Sequence, residues 1–264
     1  MKKILLPILI CFIVFWGCSN DSSLNASSEI DNTDHTAFAN FNHYVGINNQ
    51  TLLVLEGING AIKISPTNEI AATIAGERKA QSESDADAQK YLEKLKVVVE
   101  DRGDEVYVYT DQPKNTRGRI LTVTYNIKIP ATWAVDISNI NGGVQIDSLE
   151  SSLKTDIVNG SIILNDTNGS VIVQSVNGTI VGRLTLPVDG QCQMQLSNGT
   201  IDLSVPRAIN AMLEARVVNG SVNVTNLAVS NITSSTTFFN GTLGTGTAQI
   251  DLNAVNGEIN VTGY

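Results

Sequence analysis

Residues 213–224 read Leu213-Glu214-Ala215-Arg216-Val217-Val218-Asn219-Gly220-Ser221-Val222-Asn223-Val224. Leu213, Ala215 and Val217 alternate with other side chains up to an Asn-Gly pair, and Val222 and Val224 resume the alternation after it. A period of two places one set of side chains on a buried face, so both halves read as strands. Asn and Gly tolerate positive φ and suit the bend between them.

Asn-Gly occurs nine times, at Asn59, Asn141, Asn159, Asn168, Asn177, Asn198, Asn219, Asn240 and Asn256. From Asn141 onward the intervals are 18, 9, 9, 21, 21, 21 and 16 residues. A fixed period of this size marks stacked-repeat architecture. The third position after each Asn is always aliphatic: Ile62, Val144, Ile162, Val171, Ile180, Ile201, Val222, Leu243 and Ile259. The fifth position is aliphatic in seven of the nine. These columns are core, and a ligand groove is not expected there. Asn-Gly between alternating strands also suits antiparallel hairpins. The return to one register after each period favours a β-solenoid of 18–21-residue coils, each stacked on its predecessor, with Asn side chains bonding in ladders along the axis. Residues 206–216 have helical propensity but align with other Pro-led approaches to Asn-Gly, so they are expected as strand.

The expected division is residues 131–264 as the Asn-Gly repeat and residues 37–130 as an N-terminal β segment that starts and caps it. Lys and Arg number eleven in 37–130 and four in 131–264. Strands are expected at Leu52–Leu55, Lys96–Glu100, Val106–Thr110 and Leu121–Ile129. A short helical insert is expected over Asp85–Lys96, with Tyr91, Leu92 and Leu95 on one side.

The N-terminus reads as an export signal. Met1-Lys2-Lys3 precedes an apolar run from Ile4 to Trp16, then Gly17-Cys18. A positive start, a short apolar core and a small residue before the cut describe a secretory signal, and the run falls short of the roughly 20 residues that span a bilayer. The Cys directly after Gly17 is similar to the bacterial lipoprotein signal. That resemblance makes residues 1–17 the signal and Cys18 the acylated attachment site, although Phe15 and Trp16 depart from its usual pattern. Residues 18–36, rich in Ser, Asn and Asp, read as a disordered tether. Ser19 behind the Cys resembles an outer-membrane sorting pattern. Localisation is therefore expected in the cell envelope, lipid-anchored at the outer membrane on its periplasmic or surface face.

Formal charge is −9, or −11 without Lys2 and Lys3, which disfavours a nucleic-acid partner. Cys192 is left as a lone thiol, and its alternating surroundings make it a buried hydrophobe. His35 and His43 lie at or near the tether without Cys partners, so no metal or other cofactor is expected. No column collects acidic residues: Asp136, Asp156, Asp166 and Asp202 fall in differing registers, and no catalytic residue is assigned. Gly241–Gly246 resembles a phosphate loop only in glycine content and reads as a loosened turn. Phe238, two before Asn240, is expected to face inward. Six Asn-Gly-(Ser/Thr) sequons are better explained by turn chemistry than by glycosylation.

The chain resembles the bacterial "putative adhesin" domain family of β-strand-repeat lipoproteins of unknown function. The resemblance covers about Phe38 to Val261. It rests on the Leu52–Ile64 strand pair with Gly57 and Gly60, and on the acidic helical insert before Lys96-Val97-Val98-Val99. It rests also on Tyr125-Asn126-Ile127-Lys128-Ile129-Pro130 and the repeated (Val/Ser)-Asn-Gly-(Ser/Thr)-(Ile/Val) turns. It implies an all-β, right-handed single-stranded β-helix, and no catalytic residues to carry over. The function expected is a non-enzymatic cell-envelope lipoprotein, an adhesin-like or protein-interaction scaffold. Its partners would be membrane lipid through acylated Cys18 and an envelope or surface protein or glycan. The alternatives are a polysaccharide-active β-helix enzyme and an accessory protein of envelope signalling or stress.

Overall fold

Strands that bury alternate residues need a second apolar layer, and here the two halves of each coil provide it for one another. The computed structural model describes residues 34–264, which form one compact unit, and holds seventeen strands and one helix among them. β2 (Leu52–Glu56) and β3 (Ile62–Pro66) flank Asn59-Gly60. β8 (Ala134–Asn141) and β9 (Val144–Asp147) flank Gly142, and β10 (Leu153–Asn159) and β11 (Ile162–Asn168) flank Gly160. Later strands run unbroken through the turn: β12 (Val171–Thr185), β13 (Gln191–Val205), β14 (Ala211–Thr225) and β17 (Ala248–Gly263).

Parallel pairing keeps these segments in one register. Asn59 bridges to Asn141, Asn141 pairs with Asn159, Asn159 with Asn177 and Asn177 with Asn198. The columns foreseen at the third and fifth positions are interior: Ile62, Val144, Ile162, Ile180, Ile201 and Ile259 are all buried. The fold is all-β and solenoid-like.

Beyond Asn198 the order of the sequence breaks. Asn198 pairs with Asn256 of β17, and Asn256 pairs in turn with Asn219 of β14. The expectation that every coil stacks on its predecessor fails at this point, because the last strand in the sequence lies between two earlier ones. The cause lies in the connection. β15 (Val229–Ser234) and β16 (Phe238–Leu243) form an antiparallel hairpin, and β16 pairs antiparallel with β14 from Ala211↔Leu243 to Arg216↔Phe238. That hairpin covers the outer edge of the first half of β14, and β17 then fills its inner edge. The half of β14 after Gly220 has no paired strand on its outer edge, where the Thr236 carbonyl accepts from the Val222 N–H at 2.9 Å, so Val222 and Val224 are half-buried while Ile259 and Val261 in the same columns are buried.

The same antiparallel pairing corrects the reading of Phe238. It sits opposite Arg216, an outward residue, with the guanidinium 4.8 Å from its ring centre. Phe239, opposite Ala215, is the ring that packs against the core. Asn240-Gly241 is thus part of an antiparallel strand and not a coil turn.

At the other end, β6 (Glu105–Asp111) pairs parallel with β2 and antiparallel with β5 (Lys96–Asp101). β7 (Ile120–Ile129) pairs parallel with β3 and antiparallel with β4 (Ala71–Ser82), which pairs antiparallel with β1 (His35–Gly46). β1 begins at His35, inside the stretch read as tether. The helix, α1, runs Asp85–Leu92, four residues shorter than its expectation. Ser84 caps it by accepting from the Asp87 N–H at 3.3 Å, and Ala88, Tyr91 and Leu92 are its buried residues. Asp87 accepts from the Ser82 hydroxyl and from Arg119 Nε at 2.7 Å. The Ser82 bond first, then Arg119, hold its carboxyl below the usual range.

Among the described residues three core hydroxyls lack partners. Thr155, Thr167 and Ser175 are buried and their side-chain oxygens bond nothing. Thr155 stands between Ile137 and Val173 in an apolar column. An unsatisfied buried hydroxyl costs about 1–3 kcal/mol, and Val has nearly the same shape. Thr155→Val is therefore expected to raise stability by about 1 kcal/mol, read as a higher denaturant midpoint at unchanged slope.

Candidate binding surface

The turn positions build one continuous line of amides. Asn219 Nδ2 donates to Asn256 Oδ1 at 2.9 Å, Asn256 to Asn198 at 2.8 Å and Asn198 to Asn177 at 2.9 Å. Asn177 donates to Asn159 at 2.8 Å, Asn159 to Asn141 at 2.9 Å and Asn141 to Asn59 at 2.7 Å. Asn59 closes the line on the Leu121 carbonyl at 3.2 Å. The Nδ2 groups of the sequons at Asn159, Asn177, Asn198 and Asn219 are thus already engaged. Beside this ladder runs a row of exposed aliphatic side chains, Ile140, Val158, Val176, Val218 and Val255, between 42% and 65% accessible. Each stands one position before an Asn-Gly, where the parity that buries Val217 turns Val218 outward. The Asn-Gly motif does not include this row, although strand parity in the sequence places it outward.

Asp136, Asp147, Asp156 and Asp166 lie on outward positions within 4 Å of a lysine or arginine, and Asp202 meets an amide. Lys154 Nζ lies 3.3 Å from Asp136 and 3.4 Å from Asp156. Partial burial pulls the Lys154 ammonium down, but the two carboxylates outweigh it and hold the amine charged. Such a lysine is no base at neutral pH. Asp147 accepts from Asn165 at 2.8 Å and Gln145 at 3.0 Å, with Lys63 at 3.6 Å. Burial raises its carboxyl, but those donors lower it further, and the net position is below the usual range. Asp202 accepts from Asn260 at 2.8 Å, and Arg183 Nε pairs with Asp166 at 2.6 Å.

Next to the β15–β16 hairpin, a cleft of about 430 Å³ is lined by Met212, Glu214, Asn240, Thr247 and Gln249 among others. Glu214 accepts from Arg216 at 3.0 Å through one oxygen and from Asn240 at 3.2 Å through the other. It is the one titratable residue of the lining, whereas glycoside hydrolysis takes two carboxylates. Of Gly241–Gly246, expected as a turn, the first three residues belong to strand β16 and only Gly244 to Gly246 lie in the connection to β17, with Gly244 and Gly246 at positive φ.

His35 Nδ1 lies 2.9 Å from Asp85, and His43 belongs to β1 beside Phe41. Among the described residues no group of three or more His, Cys, Asp or Glu is placed to hold a metal ion. Cys192 is buried, and desolvation pushes its thiol up to about 12. A thiolate is then scarce at neutral pH. Cys192 is expected to resist iodoacetamide in the folded protein and to react fully in denaturant, as read by mass spectrometry. Cys18 lies outside the described residues. Among the described residues no helix is long and apolar enough to cross a membrane.

A "putative cell adhesion protein" from Clostridium sporogenes aligns over 86% of this chain and all of its own, at 16% identity and TM-score 0.48. A "putative adhesin" from Parabacteroides distasonis aligns over 86% of this chain and 98% of its own, at 8% identity and TM-score 0.31. No curated protein matches the sequence. The sequence model of the Toastrack DUF4097 family matches residues 116–262, more than half of the chain and the whole of its Asn-Gly stack beyond Asn59. The chain belongs to the Toastrack DUF4097 family.

Proposed function

We propose that this chain is a non-enzymatic lipoprotein of the cell envelope. Its signal occupies residues 1–17, its lipid is carried on Cys18, and residues following Cys18 tether a right-handed solenoid of 18–21-residue coils. The solenoid offers a regular flank of amides and aliphatic side chains to a protein or glycan of the envelope or surface. The observation that carries the reading is the apolar run Ile4–Trp16 set between Lys2-Lys3 and Gly17-Cys18. The carboxylates paired with Lys154, the buried thiol and the single carboxylate of the cleft support a binding role over a catalytic one.

The test is Cys18→Ser in the native host. Loss of radiolabelled fatty acid and a move from the membrane pellet to the soluble fraction are expected. Retention in the membrane with the thiol gone would refute anchoring through Cys18. Catalysis has a separate arm: release of smaller fragments from a panel of polysaccharides would overturn the non-enzymatic reading.

A further inference from the structure

β17 is held along both edges by strands that precede it. Gln191–Val205 pairs with Gln249–Gly263 on one side, and Ala211–Thr225 pairs with Ala248–Thr262 on the other, all parallel. β13 and β14 also match one another. Met194 and Ala215 both lie beside Leu252, Ile201 and Val222 both lie beside Ile259, and Asn198 and Asn219 both bond Asn256. With β17 withdrawn, β14 can move by one strand spacing, about 4.8 Å, and rest on β13 in register. Apolar columns and the Asn ladder then close again. The spacing from Asn198 to Asn219 equals that from Asn177 to Asn198, so the 21-residue coil accommodates this closure. A vacated slot therefore leaves no lasting apolar edge.

The connection to β17 is built as a hinge. Gly244 and Gly246 stand at φ +56° and +73°, and Gly246 N–H bonds back to the Leu243 carbonyl. Asn210 holds the base of the loop, accepting from Thr245 N–H at 2.9 Å through its side chain and from Ala248 N–H at 2.9 Å through its carbonyl. Glycines at such positions absorb large φ/ψ changes without steric cost.

We propose that β17 is an exchangeable donor strand, and that the slot between β13 and β14 takes β17 from a second copy of this chain as well as its own. Exchange reproduces each backbone and side-chain contact of β17, so the opposing terms are the entropy of association and the barrier to opening. Closure of β14 onto β13 lowers the cost of the open intermediate. The proposal does not depend on how the chain is anchored.

The test uses the full chain, purified in detergent, in a Cys192→Ala background. Gln193 and Asp251 are paired neighbours on outward positions of β13 and β17, within reach of a disulfide. Gln193→Cys and Asp251→Cys in one chain report the native slot by an internal cross-link. The same two changes on separate chains, mixed, unfolded in urea and refolded together, report exchange. A disulfide-linked dimer of unlike chains is expected at five-fold or more over a control that mixes Gln193→Cys with Lys63→Cys, since Lys63 lies in β3. Any other thiol in the chain contributes equally to that control. If the paired mixture yields no more dimer than the control while the single-chain pair cross-links fully, β17 is not exchanged and the proposal is wrong.

Discussion

Gly178→Ala is expected to destabilise the protein by about 4 kcal/mol or more, enough to unfold it at moderate temperature. Gly178 adopts φ +145°, and a Cβ there would sit 1.8 Å from the carbonyl oxygen of Gly160. The obstacle is backbone, which a rotamer change cannot remove. It also recurs in each layer: a Cβ on Gly160 would meet Gly142 O at 2.2 Å, and one on Gly199 would meet Gly178 O at 1.7 Å. Relief at one layer therefore pushes on the next. Gly103 separates the two contributions, since it stands at φ +91° and a methyl added there would meet nothing within 4 Å. Gly103→Ala carries only the conformational strain, about 1–2 kcal/mol. Urea unfolding of both variants gives the comparison. Equal losses would show that close stacking of the glycines contributes nothing.

The parts of the fold that a one-dimensional pattern can encode were legible in the sequence. Period-two alternation fixed which side chains of Leu213–Val224 and Ile250–Val261 are interior, and Asn-Gly fixed where the strand bends. Tyr91, Leu92 and Leu95 faced the core as their spacing required. The order of the layers was not legible, for a physical reason. Val217, Leu196 and Ala254 occupy the same column, and so do Val222, Ile201 and Ile259, so any permutation of β13, β14 and β17 buries nearly the same surface. Connections break that degeneracy, and β15 of the β15–β16 hairpin is polar and exposed, with a bulge between Ser230 and Thr233, so it gives a weak pattern. Phe238 was misplaced for the same reason: a parallel register was extended onto a strand that runs antiparallel. The outward aliphatic row was encoded by parity at Ile140, Val158 and Val176, but it is adjacent to turns and passes for core in composition. β4 alternates weakly because Ala75, Gly76, Glu77, Arg78 and Lys79 mix small and long polar residues, and its strand state comes from pairing with both β1 and β7.

Val261→Ala is expected to cost about 2–3 kcal/mol, and Val224→Ala about 1 kcal/mol or less. The two valines share one column and are paired directly, so side-chain chemistry and strand position are held constant between them. Val261 is fully buried between Leu203 and Val224, whereas Val224 is half-buried on the open edge of β14. Truncation to Ala removes two methyl carbons, worth about 0.8 kcal/mol each when buried, and leaves a cavity where neighbours on both sides are fixed. At the edge, half of that transfer term is absent and the space opens to water. Stacking in sequence order would invert the ranking, because β14 would then lie inside the stack and β17 at its end. Denaturant titration of the two variants, analysed at constant slope, therefore measures the layer order directly. A larger loss for Val224→Ala than for Val261→Ala would place β14 inside and remove β17 from its slot.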